Sequence, residues 1–178
     1  MASKPSVETM RRYITNCNYR LRRYSSLGMQ VWNESEVLVD RKSKFQARSC
    51  AIKDQADIPS LLQILLQDKR IARASHPHMY AWRTGELKSR PAKDIKVPKT
   101  DKRAGTGTAK VFNVHQGSSD GGESGAGQRL LTLLEQANVV NVLVVVTRWY
   151  GGTPLGPARF RHISSTAVES LKKGGFLP

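Results

Sequence analysis

The chain has 178 residues, with 29 Lys and Arg against 14 Asp and Glu, a formal net charge of +15. That length suits one domain with its own apolar core plus extensions. The only cysteines, Cys17 and Cys50, have no CxxC or metal-like spacing. They argue against a disulfide scaffold and for a reducing compartment. No apolar run approaches the roughly 18 residues of a membrane span, and the N-terminus lacks a secretory signal's apolar core.

Residues 1–30 read as a basic amphipathic extension. Met10, Tyr13, Ile14, Cys17, Leu21 and Tyr24 fall on one helical face, with Arg11, Arg12, Arg20, Arg22 and Arg23 largely elsewhere. Such a segment fits a helix docked on its own domain or on a partner, or a mitochondrial presequence. The folded domain is expected over 31–174. Residues 36–40 and 45–52 alternate and form a predicted hairpin, with Lys42-Ser43 in its connection. A helix follows, with Asp57 as N-cap, Pro59 in its first turn, and Ile58, Leu61, Leu62, Leu65 and Leu66 as its stripe. Residues 79–83 form a short strand.

Residues 84–110 carry eight Lys/Arg against three acids, and 1–29 carry six against one, so two-thirds of the excess charge lies in these two segments. The 84–110 stretch is expected to be a basic loop insertion. Such charge favours nucleic-acid or other anionic partners, and Lys93, Lys96, Lys99 and Lys102 are its candidate contacts. Residues 111–115 resume as a strand. Residues 125–138 are helical, with Leu130, Leu131, Leu134 and Ala137 inward. Val142–Val146 has no polar residue and fits a strand buried on both faces. Pro157 opens a last helix striped by Phe160, Ile163, Ala167, Val168 and Leu171 and ended by Gly174-Gly175. The order β-β-α-β-β-α-β-α implies an α+β fold, a sheet with helices packed on one face.

The chemistry concentrates in two glycine-rich connections. Asp120 and Glu123 stand three apart in the loop leading to Gly125. They could divide acid and base roles or hold a divalent ion, or more simply cap and stabilise a helix N-terminus. GxxxxGK[ST] is absent, but helix amides with Arg129 one turn in could bind an anion. Gly151, Gly152 and Gly156 mark a sharp strand-to-helix turn. Around it, Arg148, Trp149, Tyr150, Arg159 and Arg161 combine guanidinium forks with aromatic faces, as single-stranded nucleic-acid binders do. The plainer reading makes the aromatics core-edge residues and pairs Arg148 with Asp120 or Glu123. His76, His78, His115 and His162 have no zinc-like spacing. No metal, cofactor or catalytic residue is assigned, and GxSxG is absent.

The run Ser119–Arg129, the strand leading into Arg148-Trp149-Tyr150-Gly151-Gly152 and Leu155-Gly156-Pro157 resembles the IMPACT (YigZ-like) family. Further matches are Lys42-Ser43-Lys44-Phe45 with Ala47, Ala74-Ser75-His76 and Tyr80-Ala81-Trp82-Arg83, so the resemblance covers roughly residues 35–172. It implies a fold similar to domain 2 of ribosomal protein S5 and domain IV of elongation factor G. It also implies regulation of translation under amino-acid starvation, with ribosome association and action on the activator of the eIF2α kinase pathway. Residues 1–34 are too short for the family's RWD domain, and the chain ends at Pro178 before any ferredoxin-like domain. The shared domain alone is therefore expected, with a ribosome or RNA as partner, a starvation-pathway protein as a second candidate, and a cytoplasmic location. The rival readings are an enzyme or binder using the Asp120/Glu123 loop for a phosphorylated ligand, and a protein-binding module.

Overall fold

The computed structural model describes residues 31–88 and 110–178. The helical face expected within 1–29 and the four lysines Lys93, Lys96, Lys99 and Lys102 lie outside the described residues. The described chain runs β1 (Asn33–Glu34), β2 (Leu38–Asp40), β3 (Ser43–Ala51), a 3₁₀ turn (Gln55–Asp57), α1 (Ile58–Leu66) and α2 (Lys69–Ala72). It continues through β4 (His76–Lys88), β5 (Lys110–Ser119), α3 (Ala126–Gln136), β6 (Val142–Trp149) and α4 (Ala158–Lys173). The strands lie in the spatial order β1-β3-β6-β4-β5, with β2 also on β3, and every pairing is antiparallel. This is the expected α+β class, an antiparallel sheet with helices packed on it, but the helices cover both faces and not the single face expected.

Strand β6 is central, and its apolar run has a two-sided cause. Val142, Val144 and Val146 enter the larger core with Phe45, Met79, Leu130, Leu134, Ile163 and Leu171. Leu143 and Val145 enter a smaller core with Cys50, Ile58, Leu61, Leu65 and Ile71. So α3 and α4 form the helical layer on one face, and α1 with α2 adds a smaller cover on the other. A strand covered on both faces reads as continuously apolar rather than alternating.

Three local expectations shift. Strand β4 runs from His76 to Lys88, because it pairs with β6 through Arg83↔Val142 and with β5 as far as Lys88↔Lys110. Residues 84–88 and Lys110 thus belong to a β-hairpin, not to the loop expected at 84–110; backbone pairing needs no apolar stripe. Asp57 makes no side-chain cap; Asp54 accepts from the Ala56 N–H at 3.1 Å and opens the 3₁₀ turn instead. Ala137 is exposed just past the end of α3.

The β2–β3 connection is Arg41-Lys42, with Ser43 already in the strand, and both turn residues have positive φ (45° and 65°). Positive φ at both centres marks a type I′ turn, usually made by Asn or Gly. Directly against this turn lies Gly151, where a Cβ would overlap the Lys42 carbonyl and Ser43 nitrogen. Its N–H donates to Ser43 Oγ at 3.1 Å. Gly152 differs: it has φ +87°, but a methyl group there would meet only open space. Gly152→Ala should therefore cost about 1–2 kcal/mol, the strain of a left-handed residue. Gly151→Ala should cost more, since two backbone segments must separate. Urea unfolding of both variants checks this, and equal losses would mean the close approach is unimportant.

Candidate anion-binding site at the glycine-loop edge

Four connections meet at one edge of the sheet: the Arg41-Lys42 turn, residues 74–76, the loop 120–125 and the segment 149–157. Register brings the first and last together, since Lys44 pairs with Trp149 and Phe45 with Arg148. Tyr150 N–H is tied to Ser75 Oγ at 2.8 Å. The separated sequence motifs therefore assemble into a single surface region.

Asp120 is the anchor of its loop. Its carboxylate accepts from the Gly125 N–H at 3.0 Å and the Gly127 N–H at 2.8 Å, which fills the N-terminus of α3 as a capping side chain does. Gly125 sits at φ +84° as the helix cap. The amides expected to receive an anion are thus taken by Asp120. Arg129 lies on the exposed side of α3 and makes no side-chain bond among the described residues.

Glu123 has the opposite role. It is buried and pairs with Arg148, itself 5% exposed. Arg159 brings Nε to 2.7 Å from Glu123 Oε1, with its N–H misaligned, so that contact is ionic rather than a hydrogen bond. His76 Nδ1 stands 3.8 Å from Oε2, beyond hydrogen-bond reach. The guanidinium of Arg148 lies 5.5 Å from the ring centre of Phe45 and 5.4 Å from that of Tyr150. Arg159 stacks in the same way on Phe160 at 4.5 Å. Glu123, Arg148 and Arg159 therefore converge, while Asp120 is committed to backbone and Arg129 stands apart.

The aromatic pair divides. Trp149 turns to the α1 side, where its Nε1 donates to the Arg70 carbonyl at 2.9 Å, whereas Tyr150 is 47% exposed. Arg161 is exposed on the first turns of α4, and Gly156 holds φ +55° just before it. Two participants carry no local signal. His162 meets Asp40 at 2.8 Å and tilts over Phe45, a contact spanning 122 residues. His76 enters the sequence reading through the Ala74-Ser75-His76 match, with no role attached, and its place at the start of β4 is what sets it near Glu123. A polar groove of about 540 Å³ at the other end of β4, lined in part by Asn113, His115 and Asn141, contains none of these residues.

Fold and site together define an α+β domain whose glycine-rich connections gather cations and an exposed aromatic at one sheet edge. The chain belongs to the IMPACT family: the family model for the Impact N-terminal domain matches residues 41–171. The IMPACT family member YDL177C of Saccharomyces cerevisiae is 57% identical over 162 residues, covering 84% of this chain and 95% of that protein. A Protein IMPACT homolog of the same yeast is 36% identical, covering 82% of this chain but 47% of that protein. The chain thus spans nearly all of one relative and about half of the other. A solved structure described as that of the two-domain translational regulator Yih1 is 34% identical, with a TM-score of 0.49, covering 82% of this chain and 47% of that one.

Removing one member of a buried ion pair leaves an uncompensated charge, at about 3–5 kcal/mol. Loss of a helix-capping side chain costs about 0.5–2 kcal/mol. Glu123→Ala should therefore lower the unfolding free energy more than Asp120→Ala does. Chemical denaturation of the two variants decides it, and the reverse ranking would show that the ion cluster does not anchor the loops.

Proposed function

We propose that this domain regulates translation by docking on ribosomal RNA through its glycine-loop edge, without catalysing a reaction. The observation that carries this reading is Tyr150. The residue is 47% exposed and its ring is braced by the Arg148 guanidinium, at an edge where Arg159 and Arg161 supply further positive charge. A braced aromatic beside arginines suits stacking on an unpaired base with phosphate contact. Family membership supports translation as the setting, since the resemblance implies ribosome association and starvation control. Contact with a protein of that starvation pathway and a cytoplasmic location belong to the same proposal. The sequence charge of Lys93, Lys96, Lys99 and Lys102 would add non-specific affinity through counterion release.

Co-sedimentation of the full chain with ribosomes over a salt series tests the proposal. Wild-type protein should leave the ribosome steeply as salt rises. Tyr150→Ala combined with Arg161→Glu should weaken binding by about tenfold or more, as expected for loss of one stacked base. Lys172→Glu should change little, because eleven residues of α4, about 16 Å, separate it from Arg161. Lys173 is a poorer control, since it is paired with Glu36 and Glu169. Replacing Lys93, Lys96, Lys99 and Lys102 by Ser should flatten the salt dependence at an unchanged Tm. Equal binding by the edge variant and Lys172→Glu would remove the edge from the interface.

A further inference from the structure

The loop edge holds more permanent positive charge than its carboxylate neutralises. Arg148 and Arg159 both converge on Glu123, so one buried acid serves two guanidinium groups. Although Arg148 is 5% exposed, its Nε has no hydrogen-bond partner, and the same holds for His76 Nδ1 beside it. A buried guanidinium N–H without an acceptor, in a net cationic cluster, is costly until an anion or acceptor arrives. Two other acids of this end of the sheet are already committed: Asp120 is bound to backbone amides and Asp40 to His162.

The outer part of the cluster is open. Arg159 has a side-chain exposure of 30%, and its Nη1 is spent on the Gly156 carbonyl at 3.1 Å. Its Nη2 makes no bond among the described residues. Tyr150 is linked to Arg159 through the same network, by way of the Arg148 guanidinium and the Glu123 carboxylate. A cationic fork and an exposed ring are thus both tied to one buried ion pair.

We infer that this edge is a subsite for one nucleotide unit, with its phosphoryl group held by Arg159 and its base stacked on Tyr150. The inference rests on the RNA-docking reading and adds to it a defined ligand chemistry. A phosphoryl group supplies the missing negative charge and several acceptor oxygens, and a planar guanidinium matches it in a fork. Tyr150 adds affinity that depends on the base having a π face, not on its identity. Glu123 is the positioning residue, because it fixes both arginines. The phosphoryl group could come from a chain phosphodiester or from a terminal monoester, and small probes separate the two.

Isothermal titration of the full chain at low salt with uridine 5′-monophosphate, the dinucleotide UpU, inorganic phosphate and uridine tests the subsite. Either phosphorylated probe should bind more tightly than both inorganic phosphate and uridine. Tighter binding of UpU would point to a chain phosphodiester, and of the monophosphate to a terminal group. Arg159→Gln and Tyr150→Ala should each weaken binding about tenfold, Tyr150→Phe should retain it, and Lys172→Glu should match wild type. Circular dichroism of each variant confirms that it is folded. Equal affinity for inorganic phosphate and the nucleotides would overturn the stacking half, and no saturable binding by either nucleotide would overturn the subsite. Ribosome binding retained without nucleotide binding would leave the docking proposal standing alone; nucleotide binding without ribosome binding would do the reverse.

Discussion

The loop edge depends on a single buried carboxylate. Glu123 lies in the connection before α3, Arg148 at the end of β6 and Arg159 in the first turn of α4, and all three meet. A surface ion pair would contribute little, because water screens it and flexible side chains must be ordered to make it. This pair is nearly dry, so breaking it strands a charge. The consequence is geometric: the two glycine-rich connections cannot move independently of each other. Phe45 and Tyr150 flank the Arg148 guanidinium, which extends the same constraint to β3 and to the exposed ring.

The backbone is arranged to permit this. Gly151 lets the chain after β6 pass against the Arg41-Lys42 turn, where two side-chain-bearing residues hold left-handed conformations. Such strain is retained where surrounding structure over-determines it and tends to gather at functional sites. Here the surrounding structure is specific: Ser43 Oγ receives the Gly151 N–H, and Ser75 Oγ receives that of Tyr150. Two serines from distant parts of the sequence therefore set where the tyrosine emerges.

Much of the architecture is legible in the residue order because it depends on local pattern. The unbroken run 142–146 signals burial on both faces, and the leucine stripe of α3 signals the layer that covers one of them. The end of β4 is not legible, since polar residues held by backbone pairing have no apolar signature. The role of each acid is not legible either. Asp120 and Glu123 share one loop and similar spacing to glycine, yet one accepts backbone amides and the other enters a dry ion cluster. That division is set by Arg148 and Arg159, which lie 25 and 36 residues beyond Glu123 in the chain. The His162–Asp40 contact is longer in range still and has no sequence signal at all.

The central claim is that RNA meets this protein at the glycine-loop edge. Photocrosslinking of ribosomes carrying 4-thiouridine to the full chain, with mass-spectrometric mapping of the adducts, tests it most directly. The account predicts adducts at Tyr150 and in the neighbouring segments 41–45 and 156–161, suppressed by competing single-stranded RNA. Adducts confined to residues 1–29 and 89–109, with none at the edge, would contradict it.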